Sequence, residues 1–107
     1  MLEKIRNLYQ EVNRIAVEYM VFQKRNNISE IEKIMPQIQE FILWFLGGNI
    51  FDIEDEFYEE LSQNLLGILS DMSLAMQQND RVLMHDAVNY GLVLFLEMFL
   101  PEQNGEN

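Results

Sequence analysis

The stretch NYGLVLFLEMFLP, residues 89–101, decides how this chain is read, because nine of the eleven residues from Tyr90 to Leu100 are apolar and only Gly91 and Glu97 interrupt them. The run is too short to cross a membrane, which takes about 20 largely apolar residues. Read backwards, it continues a helical pattern that starts near Arg81. In the first half of that helix Leu83, Met84, Ala87 and Val88 share one side, and His85, Asp86 and Asn89 the other. Continuing the core side at 3.6 residues per turn gives Gly91, Leu94, Phe95 and Met98. Continuing the polar side gives Leu92, Val93 and Leu96, where water is expected.

The preceding chain is helical in its spacing as well. Leu2, Ile5, Leu8, Val12, Ile15, Tyr19 and Phe22 form one stripe of a first helix reaching about Arg25. RNNIS breaks it, and Ser29 with Glu32 makes a capping box for a second helix that turns Ile31, Ile34, Met35, Ile38, Phe41, Ile42 and Phe45 inward. Pro36 falls inside this pattern and predicts a kink or short break, since it removes one hydrogen bond and crowds the preceding turn. Gly47 or Gly48 suits the end of that helix, and Asp52 the cap of a third. The third helix has Phe57, Leu61, Leu65, Ile68, Met72 and Met76 as its stripe, with Asn79 and Asp80 making the turn into the fourth. Pro101 stops the fourth helix, and the polar tail 102–107 is expected to fray. The expected fold is all-α, an up-and-down four-helix bundle with helix two kinked near Pro36, as one domain over residues 1–101.

Helix two repeats the habit of helix four, since Gln39 and Glu40 are followed one turn later by Leu43 and Trp44. A four-helix bundle buries one broad face of each helix, so two helices that turn apolar all round need further cover. Either they sit centrally or a second chain covers them. Leu43, Trp44, Leu92, Val93 and Leu96 are therefore the candidate interface, for a homodimer or for a partner's helix. Gly67 and Gly91 lie at similar distances from the turn at Asn79 and Asp80, and a close approach of the two backbones is expected there.

Charge and chemistry narrow the function. The net charge is −11, and residues 34–107 carry thirteen acids against Arg81 alone. A phosphate backbone is repelled by such a chain, so no nucleic acid is expected as ligand. The run DIEDEFYEE offers Asp52, Glu54, Asp55, Glu56, Glu59 and Glu60 either as a solvated helix start or as a docking patch for a basic partner. Cysteine is absent and the N-terminus mixes charge into every turn, so a cytoplasmic protein without a membrane anchor is expected. A di-iron bundle needs Glu-x-x-His pairs, whereas Val82 precedes the one histidine, His85, by three residues. A calcium loop from Asp52 meets Phe57 and Gln63 where Gly and Glu belong. His85 and Asp86 point about 100° apart on a helix, and His85 reads as a polar-face residue. No cofactor, metal or catalytic residue is expected, and most of the seven methionines read as core gap-fillers.

One resemblance follows from residues 61–92. NDRVLMHDAVNYGL, with LSQNLLGILSDMSLAMQQ before it, resembles the closing hairpin of small uncharacterised helical proteins of Gram-positive bacteria, with Asp80, Val82, Leu83, Asp86 and Tyr90 at the matching positions. By architecture rather than motif, the chain is also similar to flagellar export chaperones, small acidic bundles that hold a partner's helices. The function expected is a non-enzymatic, chaperone- or adaptor-like interaction protein. The alternative is an acidic decoy or inhibitor that binds a basic protein.

Overall fold

The computed structural model describes residues 1–100. Of these, 81 % are helical and none lies in a strand, which is the all-α class expected. The elements are α1 (Leu2–Phe22), α2 (Asn27–Lys33), α3 (Met35–Leu46), α4 (Asp55–Gln78), α5 (Arg81–Ala87), a π-helical turn (Val88–Leu92) and α6 (Val93–Glu97). The last three follow one another directly and form a single closing rod. Pro101, expected to stop that rod, and the tail 102–107 lie outside the described residues.

Helix α1 buries Ile5, Leu8, Val12 and Ile15 as its spacing predicts, and adds Tyr9 and Ala16. Leu2 and Phe22, the ends of the expected stripe, are exposed because no neighbour reaches past either end. The helix closes on Gln23 in the left-handed region (φ 57°), whose N–H donates to Glu18 O.

The expected second helix is two helices. They meet at Ile34 (φ −105°, ψ 10°), and Pro36 sits in the first turn of α3. A proline there lacks only an N–H that has no intrahelical acceptor, so the helix starts around it instead of bending at it. The capping box also fails: α2 begins at Asn27, and Ser29 Oγ donates to Asn26 O at 3.1 Å from inside the helix. Gly48 (φ 151°) and Asp52 (φ 59°) turn the next loop. Asp52 therefore is not the cap of α4, which starts after Glu54 with Asp55 and Glu56 in its first turn. Asn49 ties this loop down, its Nδ2 donating to Ile53 O at 2.7 Å and Asp55 Oδ1 at 3.0 Å.

The turn into the closing rod is the one expected. Asn79 is left-handed (φ 52°), and the Asp80 side chain accepts from Leu83 N at 3.0 Å. The rod then packs against α4 on one side and α1 and α2 on the other. It runs antiparallel to α1, since Tyr9 Oη donates to Glu97 Oε2 at 2.9 Å while Tyr19 stacks on His85 with ring centroids 4.7 Å apart. Below the rod's end, Phe41, Trp44, Phe45, Phe51, Phe95 and Phe99 form one aromatic cluster with mostly edge-to-face pairs. Such pairs add about 0.5–1.5 kcal/mol each beyond their burial. Most of the apolar residues of the closing stretch, Leu92, Val93, Phe95, Leu96 and Leu100 among them, are thus covered by its central position.

Candidate functional site

Three of the five residues expected at an interface belong to the core of the single chain. Leu92, Val93 and Leu96 are 1 %, 4 % and 0 % exposed. Trp44 is partly buried in the aromatic cluster, with its ring 5.2 Å from that of Phe51 and 5.7 Å from that of Phe99. Only Leu43 stands fully in solvent. These five residues therefore do not form one patch on the surface of the single chain.

The cause is the π-helical turn. Val93 N–H donates to Val88 O, five residues back instead of four, so one extra residue is wound into the rod. An extra residue turns everything after it by about 100° relative to a regular α-helix. The core side shifts around the rod: Leu92, Val93, Leu96 and Leu100 join Phe95 inside, whereas Leu94 and Met98, expected inside, are 52 % and 47 % exposed. Tyr90, 65 % exposed, lies four residues before Leu94. Tyr90, Leu94 and Met98 therefore form one apolar ridge along the outer side of the most central helix in the molecule.

Beside the ridge runs an open groove of about 580 Å³ between α4 and the closing rod. Asn64, Gly67, Ile68 and Asp71 line it from α4, and Asp86, Ala87, Tyr90 and Gly91 from the rod. The two glycines both face it, though they do not bring the backbones together as expected. A Cβ on Gly67 would meet nothing within 4 Å, while one on Gly91 would fall 2.9 Å from Ile68 Cγ1. Gly91 thus admits the Ile68 side chain, and Gly67 leaves the groove deep. A second crevice of about 250 Å³ lies between α1 and α3. It is below the range that holds a drug-sized ligand, and the ion pair of Lys4 with Glu40 spans it.

His85 is not a polar-face residue. It is 6 % exposed, and neither ring nitrogen meets a hydrogen-bond partner in the protein. Burial holds its imidazole below the ordinary range, against the smaller opposing pull of Asp86. Asn27 lies across the same small void, donating through Nδ2 to Arg81 O at 2.9 Å and leaving Oδ1 unpaired. These groups tie α1, α2 and α5 together, and Asp86 is on the outside, where it lines the groove. The pair is not arranged for acid–base work, which needs both groups at one reacting atom.

The acidic residues Asp52, Glu54, Asp55, Glu56, Glu59 and Glu60 are all exposed. Asp55 accepts from Asn49, and Glu59 accepts from Gln63 Nε2 at 3.3 Å. Among the described residues, no group of three or more His, Asp or Glu is placed to hold a metal ion, and no helix is long and apolar enough to cross a membrane. No family of known proteins, no curated protein and no solved structure matches the chain.

Proposed function

We propose that the chain is a non-enzymatic, adaptor- or chaperone-like interaction protein that holds a protein partner on the ridge of the closing rod. In this reading α2 with α3 forms one broken arm and α5, the π turn and α6 another, so that the molecule works as an acidic four-helix bundle in the cytoplasm. The architecture likened above to flagellar export chaperones serves the same purpose.

The observation that carries the reading is the exposed series Tyr90, Leu94 and Met98. A helix that buries most of its surface nevertheless keeps three large apolar side chains in water along one line, and such a line is a common mark of a docking surface. The non-enzymatic reading is supported by the buried histidine, whose neighbours do not converge with it on an accessible atom. The charge asymmetry favours a second reading, an acidic decoy for a basic protein, in which the exposed run from Asp52 to Glu60 does the binding.

A photo-crosslinking residue placed at Leu94 tests the first reading in the native cell. The expected result is a discrete crosslinked species at Leu94 that disappears when Tyr90 and Met98 are changed to Glu, and that is absent when the crosslinker replaces exposed Gln77. Equal crosslinking at the two positions would contradict it. Crosslinks only from the Asp52–Glu60 side would favour the decoy.

A further inference from the structure

We infer that the groove between α4 and the closing rod takes a basic amphipathic helix from a partner protein, an assignment that rests on the interaction reading above and names its ligand. The groove has the form such an occupant needs. It lies between two antiparallel helices that meet at the Asn79–Asp80 turn, it is open along its length, and its volume is about 580 Å³. Its floor is low because Gly67 has no Cβ and the space above that position is empty to 4 Å. Ile68 and Ala87 lie nearly buried beneath it, and the ridge residue Tyr90 supplies exposed apolar surface at its side.

Charge complementarity selects among helices. Asp71 stands on the α4 wall and Asp86 on the rod wall, so a docked helix meets a carboxylate on either flank. Helix α4 carries Asp55, Glu56, Glu59, Glu60 and Asp71 and neither Lys nor Arg, while the rod has Arg81 as its one Lys or Arg. Arg81 is at the turn, beyond the end of the groove floor. A helix with an apolar stripe and Lys or Arg on both edges would set the stripe against Tyr90, over the nearly buried Ile68 and Ala87, and its cations against the two aspartates. An acidic helix would meet repulsion along both walls.

Two synthetic helical peptides of about 18 residues, roughly 27 Å long, test this on the full chain by fluorescence anisotropy. Both carry a leucine stripe; one has Lys on its flanks and the other Glu. The Lys peptide should bind at least about tenfold tighter than its Glu twin, and its affinity should fall as salt rises from roughly 0.05 M to 0.5 M. Gly67→Leu, where a side chain enters open space and the fold is kept, should weaken the Lys peptide by about tenfold or more. Reversing Asp71 and Asp86 to Lys should invert the preference, and reversing Glu59 and Glu60 should change it less. Equal binding of the two peptides, or Lys-peptide binding indifferent to Gly67→Leu, would overturn the assignment. Should neither peptide bind while Leu94 still crosslinks a partner, the occupant is wrong and the interaction reading stands. Should both fail, the interaction reading falls with it.

Discussion

His85 shows at the scale of one residue how tertiary packing overrides a helical wheel. Its neighbours in sequence, Asp86 and Asn89, mark a polar side, yet the ring is sandwiched between Tyr19 at 4.7 Å and the void it shares with Asn27. The groups facing it are Tyr19 from α1, Asn27 from α2 and Tyr90 from the rod, with the Asp86 charge next along the helix on the groove side, while the Arg25 guanidinium covers the Tyr19 ring at 5.0 Å. A proton on His85 therefore gains little from these neighbours and loses its water. The imidazole's affinity for a proton is lower folded than unfolded, so the unfolded state binds the proton first as pH falls below about 6.5. Stability should be fully present above that pH and decline beneath it, by at most about 1.4 kcal/mol per pH unit. Glu30, whose carboxyl is lowered by Lys33 and then by Arg14, loses its contribution only as pH falls through and below about 4.5, leaving the interval between them to His85. Urea melts of wild type and His85→Leu across that interval check this: the wild-type slope should vanish in the variant, and an unchanged slope would assign it elsewhere.

At the scale of elements, periodicity read the middles of α1 and α4 well, where polar residues marked the outer face, but not their ends: Leu2, Phe22 and Phe57, expected inward, are exposed. It read the Asn79–Asp80 turn as well, because a left-handed Asn and an accepting Asp have their own local chemistry. The break at Ile34 was half visible: Pro36 announced it, but a proline in a helix interior and one in a first turn look alike until the chain's path is known. The π turn left no trace. One inserted residue alters phase without altering composition, and a run with only Asn89 and Glu97 among its apolar residues has too few polar positions to mark which phase is in use. The turn makes a prediction of its own. Deleting Asn89 should convert it to regular α-helix and keep Val93, Leu96 and Leu100 facing inward, changing stability by no more than about 1 kcal/mol, an ordinary single-site effect. Were the rod a regular helix already, the same deletion would swing those side chains into solvent and abolish the cooperative thermal transition seen by circular dichroism.

At the scale of the molecule, the two properties that stood out in the sequence, surplus apolar residues and surplus acid, end in different places. The grease goes mostly to the centre, where the closing rod is gripped by α1, α2 and α4 and the aromatic cluster closes its end. The acid stays outside, along α4 and the walls of the groove. What the second half of the rod leaves exposed is narrower than the expected patch: a ridge of Tyr90, Leu94 and Met98 beside a groove lined by Asp71 and Asp86. Leu92, Val93 and Leu96, expected at an interface, are buried in the single chain, and the exposed residues of the same stretch are Tyr90, Leu94 and Met98. The most direct measurement of that exchange compares two double substitutions, Leu94→Glu with Met98→Glu and Leu92→Glu with Leu96→Glu, by thermal melts and light scattering. Burying an unpaired carboxylate costs several kcal/mol against a total stability of about 5–15. The first variant should remain a folded protein with a wild-type-like transition, and the second should lose its transition altogether; a folded second variant with an unfolded first would contradict the account.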